Sequence, residues 1–90
     1  MIDWIHVCCN TIENISISLY VNNNKKSYQR ISMLNEDTGE RIQKDIIAPV
    51  DFHTVISTIL YSTSLDEVIT GFNDTWASNV LEEMINNIKN

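Results

Sequence analysis

Ninety residues, 43% apolar and 20% charged, suffice for one small core and argue against a disordered chain. A formal net charge of −6 argues against direct binding to a nucleic-acid backbone, which needs clustered Lys and Arg. Two glycines and one proline leave no linker to divide the chain, so residues 1–90 are expected to form a single domain.

The charge is unevenly placed. Residues 45–90 hold seven acids against one base, Lys89, whereas residues 25–44 hold five bases (Lys25, Lys26, Arg30, Arg41, Lys44) against three acids. Such a two-signed molecule is suited to electrostatic steering towards charged partners. No apolar run approaches the roughly 20 residues of a membrane span, and Met1-Ile2-Asp3-Trp4 lacks the basic and long apolar regions of a signal peptide. A cytoplasmic chain is therefore expected. Isoleucine (14) and asparagine (11) far outnumber alanine (2), the signature of AT-rich codons. This points to a low-GC bacterium, its phages or plasmids, or an AT-rich eukaryotic virus, with the host cytoplasm as the location if the chain is viral.

Residues 2–9 lack strong helix formers and are rich in β-branched and aromatic types, which favours a strand over the alternative helical stripe Ile2, Ile5, Cys9, Ile12. In a strand the neighbours Cys8 and Cys9 point to opposite faces, so two thiols are expected, one buried and one partly exposed. A lone vicinal pair is no zinc site, which needs four ligands. Ile15, Ile17, Leu19 and Val21 alternate with Ser16, Ser18 and Tyr20, the period of a strand with one buried face. Asn22–Lys26 is a turn, Ser27–Leu34 the next strand and Arg41–Ile47 the last. Between them lies the turn Asn35–Glu40, with Gly39 at positive φ.

Ala48-Pro49 ends the sheet. Phe52, Val55, Ile56, Ile59 and Leu60 then follow the spacing of an amphipathic helix. Ser62-Thr63-Ser64 breaks it, and Ser64-Leu65-Asp66-Glu67 reads as a capping box opening a second helix. The stripes Leu65, Val68, Ile69, Phe72, Trp76 and Leu81, Met84, Ile85, Ile88 would lie about 140° apart on one straight helix. A break is therefore expected between Gly71 and Asn79, with Gly71 as a C-cap. The predicted fold is α+β: an antiparallel three- or four-stranded meander followed by two or three helices packed on one sheet face.

Motifs of catalysis are missing. His6 and His53 are the only imidazoles, no orienting acid accompanies either cysteine, and no phosphate-binding glycine loop or metal-ligand spacing occurs. The expectation is a protein with no enzymatic activity, cofactor or metal. Trp4 and Trp76 are expected in the core, as Trp normally is in so small a chain, the alternative being an anchor in a partner's pocket. Tyr20, with Tyr28 beside it, falls on the sheet face opposite the buried set. If helices cover one face only, these tyrosines meet water or a partner. Asp66, Glu67 and Asp74 would line one flank of a continuous helix, with Glu82 not far round; together with Glu83 they are the acids expected to contact a basic partner. Carboxylates roughly 5–10 Å apart could imitate nucleic-acid phosphates and block a basic groove. The plainer account is a solvated face with acids favoured at helix N-termini.

In size, charge and mixed architecture the chain resembles phage-encoded inhibitors of host defence, anti-CRISPR proteins among them. The resemblance covers no motif and transfers no residue. It implies a small acidic protein-binding module that occupies a basic surface of a larger host protein, such as a nucleic-acid-binding one, with no direct contact to nucleic acid or membrane. The alternative is a structural or assembly subunit, a homo-oligomer built through the open sheet face or the last helix.

Overall fold

The computed structural model describes residues 3–23, 28–47, 52–71 and 78–89. Four strands form one antiparallel sheet in chain order: β1 (Trp4–Ile12), β2 (Ile15–Asn22), β3 (Tyr28–Asn35) and β4 (Arg41–Ile47). Three helices follow: α1 (Phe52–Tyr61), α2 (Leu65–Gly71) and α3 (Ser78–Ile88). This is the expected α+β meander with helices after it, in its four-strand, three-helix form.

The period of two decides which face of the sheet is buried. Ile17 stands opposite Met33 and Leu19 opposite Ile31, and all four are buried, as is Ile15. Onto this face pack Val55 and Ile59 of α1, Leu65 and Val68 of α2, and Leu81, Met84, Ile85 and Ile88 of α3, in one continuous core. α1 lies against β1, and α3 against β3 and β4. Leu60, expected on the buried stripe of α1, is 42% exposed, so that helix buries a narrower face than its spacing suggests.

The ambiguity of the first strand has a structural cause. Register slips between His6 and Cys8, so Val7 is an extra residue, a β-bulge. Before it Trp4 and His6 share the outer face with Tyr20. After it Cys8, Asn10 and Ile12 point to the core side. The bulge thus moves Trp4 out of the expected core to a half-buried position on the sheet face away from the helices. The strand also runs on to Ile12, three residues past its expected end, and a two-residue turn, Glu13-Asn14, returns it. The cysteines are free, Cys8 buried and Cys9 exposed, as strand alternation requires, and burial pushes the Cys8 thiol pKa up.

The expected hairpin of β3 and β4 is present, with Gly39 at φ 77°. Its turn closes through Asn35 N–H donating to Glu40 O and Gly39 N–H to Asn35 O, each at 2.8 Å. The two apolar stripes of the C-terminal third belong to separate helices. The residues between them, Phe72, Asp74 and Trp76 included, lie outside the described ones. Gly71 corrects its expected role. It has no positive φ, and it is the last helical residue of α2, where a Cβ would stand 2.5 Å from Thr58 Cγ2. Its lack of a side chain lets α2 approach α1.

Side chains of the sheet end secure the helix termini. Asn10 Nδ2 donates to Ile59 O at 3.0 Å, at the end of α1, and Asn35 Nδ2 donates to Ile88 O at 2.9 Å, at the end of α3. Glu13, a non-glycine residue at φ 58°, accepts Leu65 N–H at 3.0 Å and so holds the start of α2. These bonds satisfy backbone groups that a helix leaves without partners at its ends.

Candidate functional site

The acids expected to act together are divided between two surfaces. Asp66 and Glu67 sit in the first turn of α2 and line a cleft of about 530 Å³ between α1 and α2, with Ser57, Thr58, Tyr61, Ser62, Thr70 and Gly71. Glu82 and Glu83 line a smaller depression of about 390 Å³ on α3, shared with Asn79, Asn86 and Asn87. Asp74 lies outside the described residues. The row of carboxylates imagined on one continuous helix is therefore not formed, because the chain divides there into two helices.

The acids also differ in what they do. Glu67 is committed to the helix cap. Ser64 Oγ accepts Glu67 N–H at 3.2 Å, and the Glu67 carboxylate accepts Thr63 N–H at 2.7 Å and Thr63 Oγ–H at 3.1 Å. The capping box is present with one change: the carboxylate reaches back to Thr63 instead of Ser64. Asp66 is exposed at the same terminus, where a negative charge suits the helix dipole. Glu82 and Glu83 have no such account. The first turn of α3 holds no acid, so they lie beyond it. The positions one turn on are Asn86 and Asn87, and one turn back Ser78 and Asn79, so no base faces them along the helix. Both are exposed.

The outer face of the sheet is a second surface, free of helices among the described residues. Tyr20 and Tyr28 both lie on it, half-buried. Tyr20 meets the His6 ring edge-on at 5.2 Å between centroids. The Arg30 guanidinium stacks over Trp4 at 4.1 Å and grips Asp45 through two hydrogen bonds of 2.6 and 2.8 Å. That grip raises the Arg30 pKa and lowers that of Asp45. Polar residues knit the rest. Thr11 and Ser16 hydroxyls are 2.9 Å apart, Ser16 donates to Glu36, and Arg41 donates to Ser32 Oγ at 2.9 Å. Charge on this face is largely compensated.

Both sheet edges are guarded against pairing with another strand. β1 carries the Val7 bulge. β4 places Lys44 opposite Ile31, on the helix side, while leaving it exposed. Bulges and inward-pointing charges are the usual protections of an edge strand.

Residues that sequence reasoning did not single out sit at the α1–α2 cleft. Tyr61 is 78% exposed there, beside Ser57, Thr58 and Thr70. The available signal was a tyrosine one position past the apolar stripe, at the end of a helix. His6 and His53 are both exposed, and the His6 ring is taken up by its edge contact with Tyr20. Among the described residues no three His, Cys, Asp or Glu side chains cluster to hold a metal ion, and no helix is long and apolar enough to cross a membrane.

No protein-family model matches the chain, and neither a curated protein nor a solved structure does.

Proposed function

We propose that this chain is a small, acidic, non-enzymatic protein-binding module that occupies a basic surface of a larger cytoplasmic protein, as an inhibitor of phage or mobile-element origin would. The observation that carries this reading is the pair Glu82 and Glu83. They are adjacent like charges in mid-helix, exposed, without a hydrogen bond or ion pair among the described residues, in a depression otherwise lined by asparagines. Neither carboxylate is used by the fold through a cap or a charge pair along the helix. Their use is outward, towards a cationic partner. With a net charge of −6 the whole molecule adds a field that speeds encounter with such a surface.

A second reading, a homo-oligomer, is favoured by one observation: the helices leave the outer sheet face uncovered, with Trp4, Tyr20 and Tyr28 on it. The guarded edges then require assembly face to face and not strand to strand.

One experiment separates the two. The partner is captured from host lysate, identified by mass spectrometry and purified, and its association is measured at low and high salt against the wild type and an E82Q/E83Q variant. The inhibitor reading expects association that slows with salt, and a variant that binds more slowly with a flatter salt dependence. Unchanged affinity of the variant at both salts, with a dimer in light scattering that Trp4→Ser dissolves, would replace it with the oligomer.

A further inference from the structure

The molecule contains one complete clamp for a guanidinium group. Arg30 lies with its face on the Trp4 ring at 4.1 Å while both Asp45 oxygens accept its N–H groups at 2.6 and 2.8 Å. An aromatic wall and a carboxylate are the two components of this clamp, and arginine suits it because its cation is planar, weakly hydrated and forked.

The cleft between α1 and α2 offers the same two components to the outside. Tyr61 and Asp66 both line it. Tyr61 is 78% exposed, and Asp66 is exposed with no hydrogen bond or ion pair among the described residues. The neighbouring carboxylate, Glu67, is already engaged with Thr63, so Asp66 is the one left to accept. No base stands in the last turn of α1 or of α2 to neutralise it. Thr58, Thr70 and Gly71 line the same cleft, where Gly71 packs directly against Thr58. The α3 depression differs: its lining of Asn79, Glu82, Glu83, Asn86 and Asn87 has no aromatic wall.

The geometry points to the α1–α2 cleft as the seat of one arginine side chain of the partner protein. Its guanidinium stacks on Tyr61 and donates to Asp66. This rests on the reading of the chain as a protein-binding module and adds where the partner's anchor goes and what it is. The α3 carboxylates supply field, and the cleft supplies the fixed point that sets orientation, since exposed charge pairs alone give little affinity.

The test is a backbone-amide NMR titration of the ¹⁵N-labelled protein at low salt with blocked tripeptides, Gly-Arg-Gly, its lysine counterpart and the neutral isostere containing citrulline. An oligo-arginine peptide serves as a second probe. The arginine tripeptide is expected to shift Thr58, Tyr61, Asp66 and Thr70, the lysine peptide less, and the citrulline peptide not at all. Tyr61→Ala and Asp66→Asn should each weaken the arginine peptide about threefold or more, the worth of an exposed cation–π or ion pair. Both positions are exposed, and the same spectra report whether each variant is folded. Shifts confined to Asn79, Glu82, Glu83, Asn86 and Asn87, for tripeptide and oligo-arginine alike, would overturn the arginine seat and leave the acidic-module reading standing. Equal shifts by arginine and lysine peptides, untouched by Tyr61→Ala, would also overturn it. No shift with oligo-arginine anywhere would remove both.

Discussion

Asn35 is the residue on which most elements of one sheet end depend, and its replacement has a magnitude that the structure lets one work out. The side chain is 2% exposed. Its Nδ2 donates to Ile88 O at 2.9 Å, the buried C-terminal carbonyl of α3. Its Oδ1 accepts Asp37 N–H at 2.9 Å, Thr38 N–H at 3.2 Å and Asn14 Nδ2 at 3.2 Å, joining both hairpin turns. In Asn35→Ala the Ile88 carbonyl is left buried without a donor, at a cost of about 1–3 kcal/mol. The three donors to Oδ1 lie near solvent and recover water, so they add only about 1 kcal/mol together. The expected loss is about 2–4 kcal/mol, out of roughly 5–13 kcal/mol for a chain of this length. Asn35→Asp separates the two halves of the argument. It keeps the acceptor and loses the donor, and it sets a charge against a helix C-terminus. The three N–H donors to Oδ1 favour the ionised carboxylate, which cannot donate to Ile88 O, so the variant should still lose stability at neutral pH although its acceptor is kept. Urea denaturation followed by far-UV circular dichroism, at several pH values and with unchanged slope, measures both variants. An Asn35→Ala loss under about 0.5 kcal/mol, within the range of an ordinary surface change, would refute the role assigned to the Ile88 contact.

Gln29 is fully buried opposite Val21 and Ile46, and neither of its amide atoms has a hydrogen-bond partner. Gln29→Met, which removes an amide that costs about 1–3 kcal/mol to bury unpaired, should raise the urea midpoint; a fall would show that the amide is satisfied. Gly71→Ala should destabilise by about 1 kcal/mol or more, against the usual helix preference for Ala, because its Cβ meets Thr58 Cγ2 at 2.5 Å and Oγ1 at 2.8 Å. Adding Thr58→Ala should recover part of that loss in a double-mutant cycle, and strict additivity would count against the contact. At Gly39 a Cβ has open space, so the cost of Gly39→Val is backbone strain alone, about 1–2 kcal/mol, and Gly39→Asn should cost clearly less; equal costs would mean that φ is not the cause. The Arg30 grip lowers the Asp45 pKa, so its contribution is present above the ordinary carboxylate pKa and lost as pH falls through the lower folded value. The pair is a surface one, so Asp45→Asn should cost under about 1 kcal/mol at neutral pH and nothing in strong acid; a cost that persists in acid would point to packing instead.

The sheet from β2 onward and the helix count were legible because each rests on a local pattern. Alternation at Ile15–Val21 sets a face, Gly39 sets a turn, and the disagreement between two apolar stripes divides one helical stretch into two. What was not legible depends on contacts between distant residues. The Val7 bulge reverses the facing of Trp4 and His6, and nothing in the period of residues 2–9 announces it. Glu13 reads as one more surface acid until the fold brings Leu65 N–H to it across 52 positions. Asn10 and Asn35 read as polar residues in or beside strands, whereas each completes the end of a helix far along the chain. At the candidate site the residue types were visible and their grouping was not. Asp66 and Glu67 stand side by side in sequence, yet only packing of α2 on α1 gives Asp66 a tyrosine across a cleft and commits Glu67 to Thr63.

Acidity alone is weak ground for function, and the structure sharpens it by subtraction. Glu13 holds Leu65, Glu67 closes the cap of α2, Asp45 holds Arg30, Glu36 receives Ser16, and Asp37 receives Asn14. Removing these acids would perturb folding and binding together, so a loss of binding would say nothing about recognition. Asp66, Glu82 and Glu83 remain on the helical layer, exposed and unpaired. Asp66 has a partial structural account in the helix dipole; the α3 pair has none. Neutralising Glu82 and Glu83 should therefore change stability by under about 0.5 kcal/mol, as for most surface substitutions. A protein that folds as well or better without two charges, and binds worse, has those charges for its partner.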